Sequence, residues 1–104
     1  YIDVPDGYLT KLYNEATKCA WSNILFNYDY TYTYVSRKGA QTTTYPYAKS
    51  FDRIDSSKGY IEGNIVIVLA CVNRMKNNYP IEIFFEVCRG VASTFNCDKL
   101  SYIQ

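Results

Sequence analysis

The sequence predicts an α+β fold, and three observations carry that expectation. The segment 28–34 reads YDYTYTY, which alternates with period two, the side-chain period of a β-strand. Residues 65–68 form a short apolar run behind a Gly63-Asn64 turn signal, which reads as a second kind of strand. Ile81, Phe84, Phe85, Cys88, Val91, Ala92 and Phe95 recur at helical spacing. The 104 residues are 48% hydrophobic and 20% charged, an ordinary globular balance with material for one modest core. No repeat or low-complexity linker divides them, so residues 1–104 are read as one small domain.

Taken in order, Asp6 is placed to cap a helix over 7–18 with Tyr8, Leu12 and Ala16 on one face. The 28–34 strand puts four tyrosines on one face and Asp29, Thr31 and Thr33 on the other. Ser36 to Gly39 reads as a turn, and 41–47 as the return strand, rich in β-branched and aromatic residues. This Tyr-rich hairpin has two readings. Its ring face covers the core, half buried. Alternatively, it is an aromatic platform for unpaired bases, with Arg37 and Lys38 touching phosphate at its tip. A short strand is expected at 51–54, then a turn-rich connection over 55–64 holding Ser56, Ser57, Gly59 and Gly63. After the apolar strand a helix begins near Ala70 and carries Asn73, Arg74 and Lys76. Asn77, Asn78 and Pro80 end it. The last helix is assigned to packing.

The composition narrows the function. A net charge of +1 gives no global basic signal, so any nucleic-acid footprint is local. No apolar run reaches the ~20 residues of a membrane span. The start has no signal-peptide pattern, so a cytoplasmic location is expected. The chain starts at Tyr1 rather than Met, which leaves room for a preceding piece. Cys19, Cys71, Cys88 and Cys97 form no C-x-x-C pair. Two disulfides stay open in an oxidising compartment, and free buried thiols in a reducing one. Cys71 and Cys88 are placed in the core.

The densest signal is the run 50–76, SFDRIDSSKGYIEGNIVIVLACVNRMK. It resembles the HNH nucleases, in particular phage-type members with an S-x-DRID-x-x-KGY…GN…N-x-x-K signature. That resemblance implies a ββα-metal core with flanking helices, and a phage- or virus-encoded protein acting on DNA, most simply double-stranded, in a host cell. Phosphodiester hydrolysis needs a metal to neutralise developing charge, plus an activated water. A hard cation such as Mg²⁺ or Mn²⁺ takes one or two carboxylates and several waters. By the resemblance, Asp52 falls on the metal aspartate and Asn73 on the helix-borne second ligand. Asn64 falls on the residue that steadies the catalytic loop, and Arg53 falls where the family has its histidine.

The chain contains no histidine at all. Arginine stays protonated at any working pH and cannot take a proton from water. It can clamp the scissile phosphate with its fork of donors. The base is then Asp55, expected on the same strand face as Arg53, or a metal-bound hydroxide with no dedicated base. Zinc-bearing relatives carry two C-x-x-C pairs. Of those four positions only Cys19 keeps a ligand, the others being Ser22, Leu69 and Val72. No structural zinc is expected, and Trp21, Leu69 and Val72 are expected to pack in its place. Between Lys49 and Lys76 five basic residues (Lys49, Arg53, Lys58, Arg74, Lys76) face three acids (Asp52, Asp55, Glu62), a net of +2. Lys58, Arg74 and Lys76 are the expected phosphate contacts.

Two function classes follow. The leading expectation is a metal-dependent HNH-type endonuclease, favoured by the joint presence of Asp52, Asn64, Asn73, Lys58 and Lys76. The alternative is a catalytically inactive HNH-derived module that binds nucleic acid or protein, favoured by the missing histidine. In either case Asp52 is expected near the surface of the hairpin, where its loss spares the fold.

Overall fold

The computed structural model describes residues 1–95. Cys97 therefore lies outside the described residues. The elements follow the chain as β1 (Ile2–Asp3), α1 (Tyr8–Glu15), β2 (Tyr32–Val35), β3 (Gln41–Thr44), β4 (Lys49–Arg53), β5 (Tyr60–Ile61), β6 (Ile65–Leu69), α2 (Ala70–Lys76) and α3 (Ile81–Thr94). This is a small α+β protein with three helices and three two-stranded sheets among the described residues.

The β-branched run of β6 is buried at four of its five positions and pairs antiparallel with β4, from Lys49 opposite Leu69 to Arg53 opposite Ile65. β6 passes into α2 without a loop: Leu69, still extended, is the N-cap. The first amides of a helix lack intrahelical acceptors. Here Ala70 and Cys71 donate to the carbonyls of Ala48 and Pro46, at 2.8 and 3.1 Å, which fixes α2 against the start of β4. Asn77, at a positive φ of 53°, ends α2, and Pro80 opens α3, close to where the sequence places the break.

Cys19, Val68, Leu69 and Val72 form the buried cluster, with Trp21, Phe26, Tyr47 and Phe84 packed on it. Trp21, Leu69 and Val72 thus meet as expected. The loop that brings Cys19 in is tight. Cys19 N–H donates to the Ile24 carbonyl (2.8 Å), Asn23 N–H returns to the Cys19 carbonyl (2.9 Å), and Ala20 N–H bonds Ile67 on β6 (3.0 Å).

Several expectations are corrected. Asp6 caps nothing: Gly7, in the left-handed region at φ 80°, is the N-cap of α1, which ends at Glu15. The tyrosine strand begins only at Tyr32. Tyr28 is drawn aside by bonds between its hydroxyl and both the Tyr13 hydroxyl (2.7 Å) and the Lys49 N–H (3.1 Å). Asn27 also bends the chain by accepting the Asp29 N–H (2.8 Å). The rings of β2 do not lie on the core: every residue of β2 is exposed, Tyr32 by 56%, whereas Tyr47, at the end of the expected return strand, packs on it. α3 is a packing element only at its start. There Phe84 joins the core and Phe85 meets Trp21 edge-on at 5.7 Å. Val87, Val91 and Phe95 are exposed, and so is Cys88, which is not a core residue. Cys71 is half buried, and the three described cysteines are free thiols. The parallel pairing of β1 with β5 had no signal in the sequence. Among the described residues, no helix is long and apolar enough to cross a membrane.

Candidate functional site

Strand alternation in β4 turns Asp52 inward, and α2 lies across that face. Asp52 is only 4% exposed and Lys76, near the end of α2, is fully buried. Lys76 Nζ sits 3.3 Å from Asp52 Oδ2. The same oxygen accepts the Trp21 indole N–H at 3.0 Å, and Oδ1 accepts the Arg53 amide at 2.8 Å. Lys76 also donates to Ser56 Oγ (3.2 Å) and to the Arg53 carbonyl (3.4 Å). Two charges taken out of water are tolerable only when paired and hydrogen-bonded, as these are. The sequence reading is corrected twice here. Asp52 is not at the surface, and Lys76 is not a phosphate contact.

Asn64 is buried and clamps the connection before it. Its Oδ1 accepts the Asp55 amide (2.9 Å), and its Nδ2 donates to the carbonyls of Gly59 (2.9 Å) and Asp55 (3.1 Å). Gly63 supplies the φ of 86° that turns the chain into it. Asn73, in the first turn of α2, ties the helix to β4 by donating to Ser50 Oγ (2.8 Å) and the Phe51 carbonyl (3.1 Å).

Arg53 is half buried. Its guanidinium lies over the Tyr60 ring, 5.4 Å from the centroid. It donates to the Lys58 carbonyl (3.2 Å) and to Asn78 Oδ1 (3.3 Å), while its Nε is buried with no hydrogen-bond partner among the described residues. Arg53 and Arg74 lie on one open cleft of about 410 Å³, with Ser50, Asp52, Tyr60, Asn73, Asn77 and Asn78. Asp52 and Asn73 therefore line the same cleft. Asp52 is the only carboxylate among the described residues that line it, and Lys76 already compensates its charge. The cleft is left with two guanidinium groups and a rim of amides.

Asp55 does not belong to this cleft. β4 ends at Arg53, so the same-face relation fails, and Asp55 lines a different cavity with Ser57 and Glu82. Hydrogen bonds from the Ser57 hydroxyl (2.6 Å) and amide (2.9 Å), aided by the charge of Lys58, hold its carboxyl below the usual range. A carboxylate made less basic in this way is a poor acceptor for a proton from water. Lys58 is exposed on the connection, and Arg37 and Lys38 are exposed at the hairpin tip; none of the three lines the cleft.

The donor set does not suit a hard divalent cation as it stands. Asp52 already accepts three hydrogen bonds, one from an ammonium that compensates its charge. No group of three or more His, Cys, Asp or Glu residues able to hold a metal exists among the described residues. Sequence reasoning missed Ser50, Tyr60, Asn77 and Asn78 as cleft residues. Tyr60 and Ser50 lie inside the run already singled out, but they meet only in the fold, Ser50 through Asn73 on α2 and Tyr60 under the Arg53 guanidinium.

Fold and site together define a small α+β protein with a cationic, amide-rimmed cleft beside a buried ion pair. Compared with family models, with curated proteins and with solved structures, the chain matches none.

Proposed function

We propose that this chain is an HNH-like module, with β4, β6 and α2 as its ββα core, that binds the phosphate backbone of a nucleic acid without cutting it. The observation that supports this reading is the charge state of the cleft. Arg53 and Arg74 face it with no ion-pair partner among the described residues, whereas Asp52 is neutralised internally by Lys76 at 3.3 Å. Guanidinium forks and amide donors suit phosphate oxygens. Duplex DNA is the ligand that the resemblance implies.

The test is binding of labelled DNA across a salt series. Affinity should fall steeply with salt, and Arg53→Ala or Arg74→Ala should each lower the log–log slope by about one. No binding at low salt, or slopes unchanged in both variants, would defeat the proposal. The metal-dependent endonuclease is the second reading, favoured by the shared cleft of Asp52 and Asn73. It requires nicking of plasmid that depends on Mg²⁺ or Mn²⁺ and is lost in Asp52→Asn.

A further inference from the structure

We infer that a tyrosine-lined groove next to the cleft receives unpaired bases, so that the preferred ligand is a single strand rather than a duplex. This rests on the phosphate-cleft reading and extends it. A second open cavity, of about 520 Å³, is lined by Tyr30, Tyr32, Tyr34, Tyr45 and Tyr47. Arg74 and Ala70 line both this groove and the cationic cleft, so the two adjoin at Arg74. Arg74 is thus placed to hold a phosphate whose base lies among the rings.

The rings have the disposition that stacking needs. Tyr32 and Tyr34 alternate onto one face of β2, nearly parallel at 23°, with centroids 6.2 Å apart. Tyr30 is propped edge-on against Tyr47 at 5.4 Å, and Tyr47 packs on the core. Thr33 and Thr43 join their hydroxyls across the opposite face at 2.9 Å, which braces the two-stranded ribbon. The rings are not consumed by the fold: Tyr32, Tyr45 and Tyr34 are 56%, 50% and 40% exposed. No carboxylate lines the groove among the described residues, so nothing there repels a phosphate strand.

The chemistry selects the occupant. A base offers its π-face to a tyrosine ring only when unstacked from its neighbours, and stacking of this kind tolerates any sequence. Bases inside a duplex have their faces covered. Protein interfaces are also rich in tyrosine and arginine, so what favours a nucleic-acid strand here is charge: the groove ends at Arg74 and no carboxylate lines it among the described residues.

The experiment compares the affinity of the whole chain for a labelled oligothymidylate, for a duplex of equal length, and for an abasic strand with the same phosphates. The oligothymidylate should bind on the order of tenfold tighter than the abasic strand, and tighter than the duplex. Joint Tyr32→Ala and Tyr34→Ala should remove that advantage and leave duplex affinity unchanged, whereas Tyr32→Phe with Tyr34→Phe should keep it. Equal wild-type affinity for thymidylate and abasic strands would overturn the inference, and it needs no variant to fold. Should Arg74→Ala still weaken both strands in that case, the cleft reading survives alone. Should Arg74→Ala also be silent, both fall. Capture of a protein that depends on the tyrosines, with no oligothymidylate preference, would likewise overturn it.

Discussion

Lys76 is the residue on which the interior depends most. Its ammonium is fully buried and contacts Asp52, Ser56 and the Arg53 carbonyl, so it joins α2, β4 and the following connection at one atom. Removing one member of a buried pair strands the other charge. Asp52→Ala or Lys76→Ala should therefore each cost about 3–5 kcal/mol in urea denaturation, and replacing both with Leu and Met should recover most of that loss. Single variants within about 0.5 kcal/mol of wild type would show the pair to be solvated. Asp55 gives a second test. Its folded-state pKa is depressed, so its stabilising contribution is present above the unfolded pKa and is lost as pH falls through the folded value. Ser57→Ala should raise the Asp55 pKa towards the ordinary carboxylate value in an NMR titration. At this scale the sequence was legible where spacing carried meaning. Asp52 lies on a strand, Asn64 in the turn before the next strand and Asn73 in the first turn of the helix that follows, the local elements that the spacing predicts. The neutralisation of Asp52 by a residue 24 positions later was not legible, because it exists only once α2 crosses β4.

Among the elements, the connection between β4 and β6 shows how much one side chain can order. Asn64 makes three hydrogen bonds into residues 55–59, and Gly63 before it holds a φ of 86°. Asn64→Ala leaves buried backbone groups unpaired and should destabilise by about 1–3 kcal/mol. Backbone amides of 55–60 should then lose hydrogen-exchange protection before the β4–β6 pair does. Simultaneous loss across both would mean that the connection is no separate unit. β6 and α2 were legible because an apolar run and a change of period sit side by side. The failures came where long-range bonds overruled local pattern. Tyr28 fits a strand by alternation, but its hydroxyl is taken by Tyr13 and Lys49. α3 has a helical apolar stripe, yet only its first turn reaches the core cluster, through Phe84.

The whole molecule is a small interior flanked by two open surfaces that meet at Arg74, one cationic and one aromatic. Its radius of gyration is 15.8 Å, against about 13 Å for a compact chain of this length, consistent with exposed projections in the hairpin and α3. The buried ion pair compensates the one carboxylate that lines the cleft among the described residues, and leaves the two arginines there as its remaining charge. Mixing the protein with supercoiled plasmid, in Mg²⁺ and separately in EDTA, and resolving the products on a gel reads both properties at once. The account predicts retarded plasmid that returns to the intact supercoiled form once protein is stripped, equally in Mg²⁺ and in EDTA. Nicked or linear plasmid formed only in Mg²⁺ would contradict it and return Asp52 to the role of metal ligand.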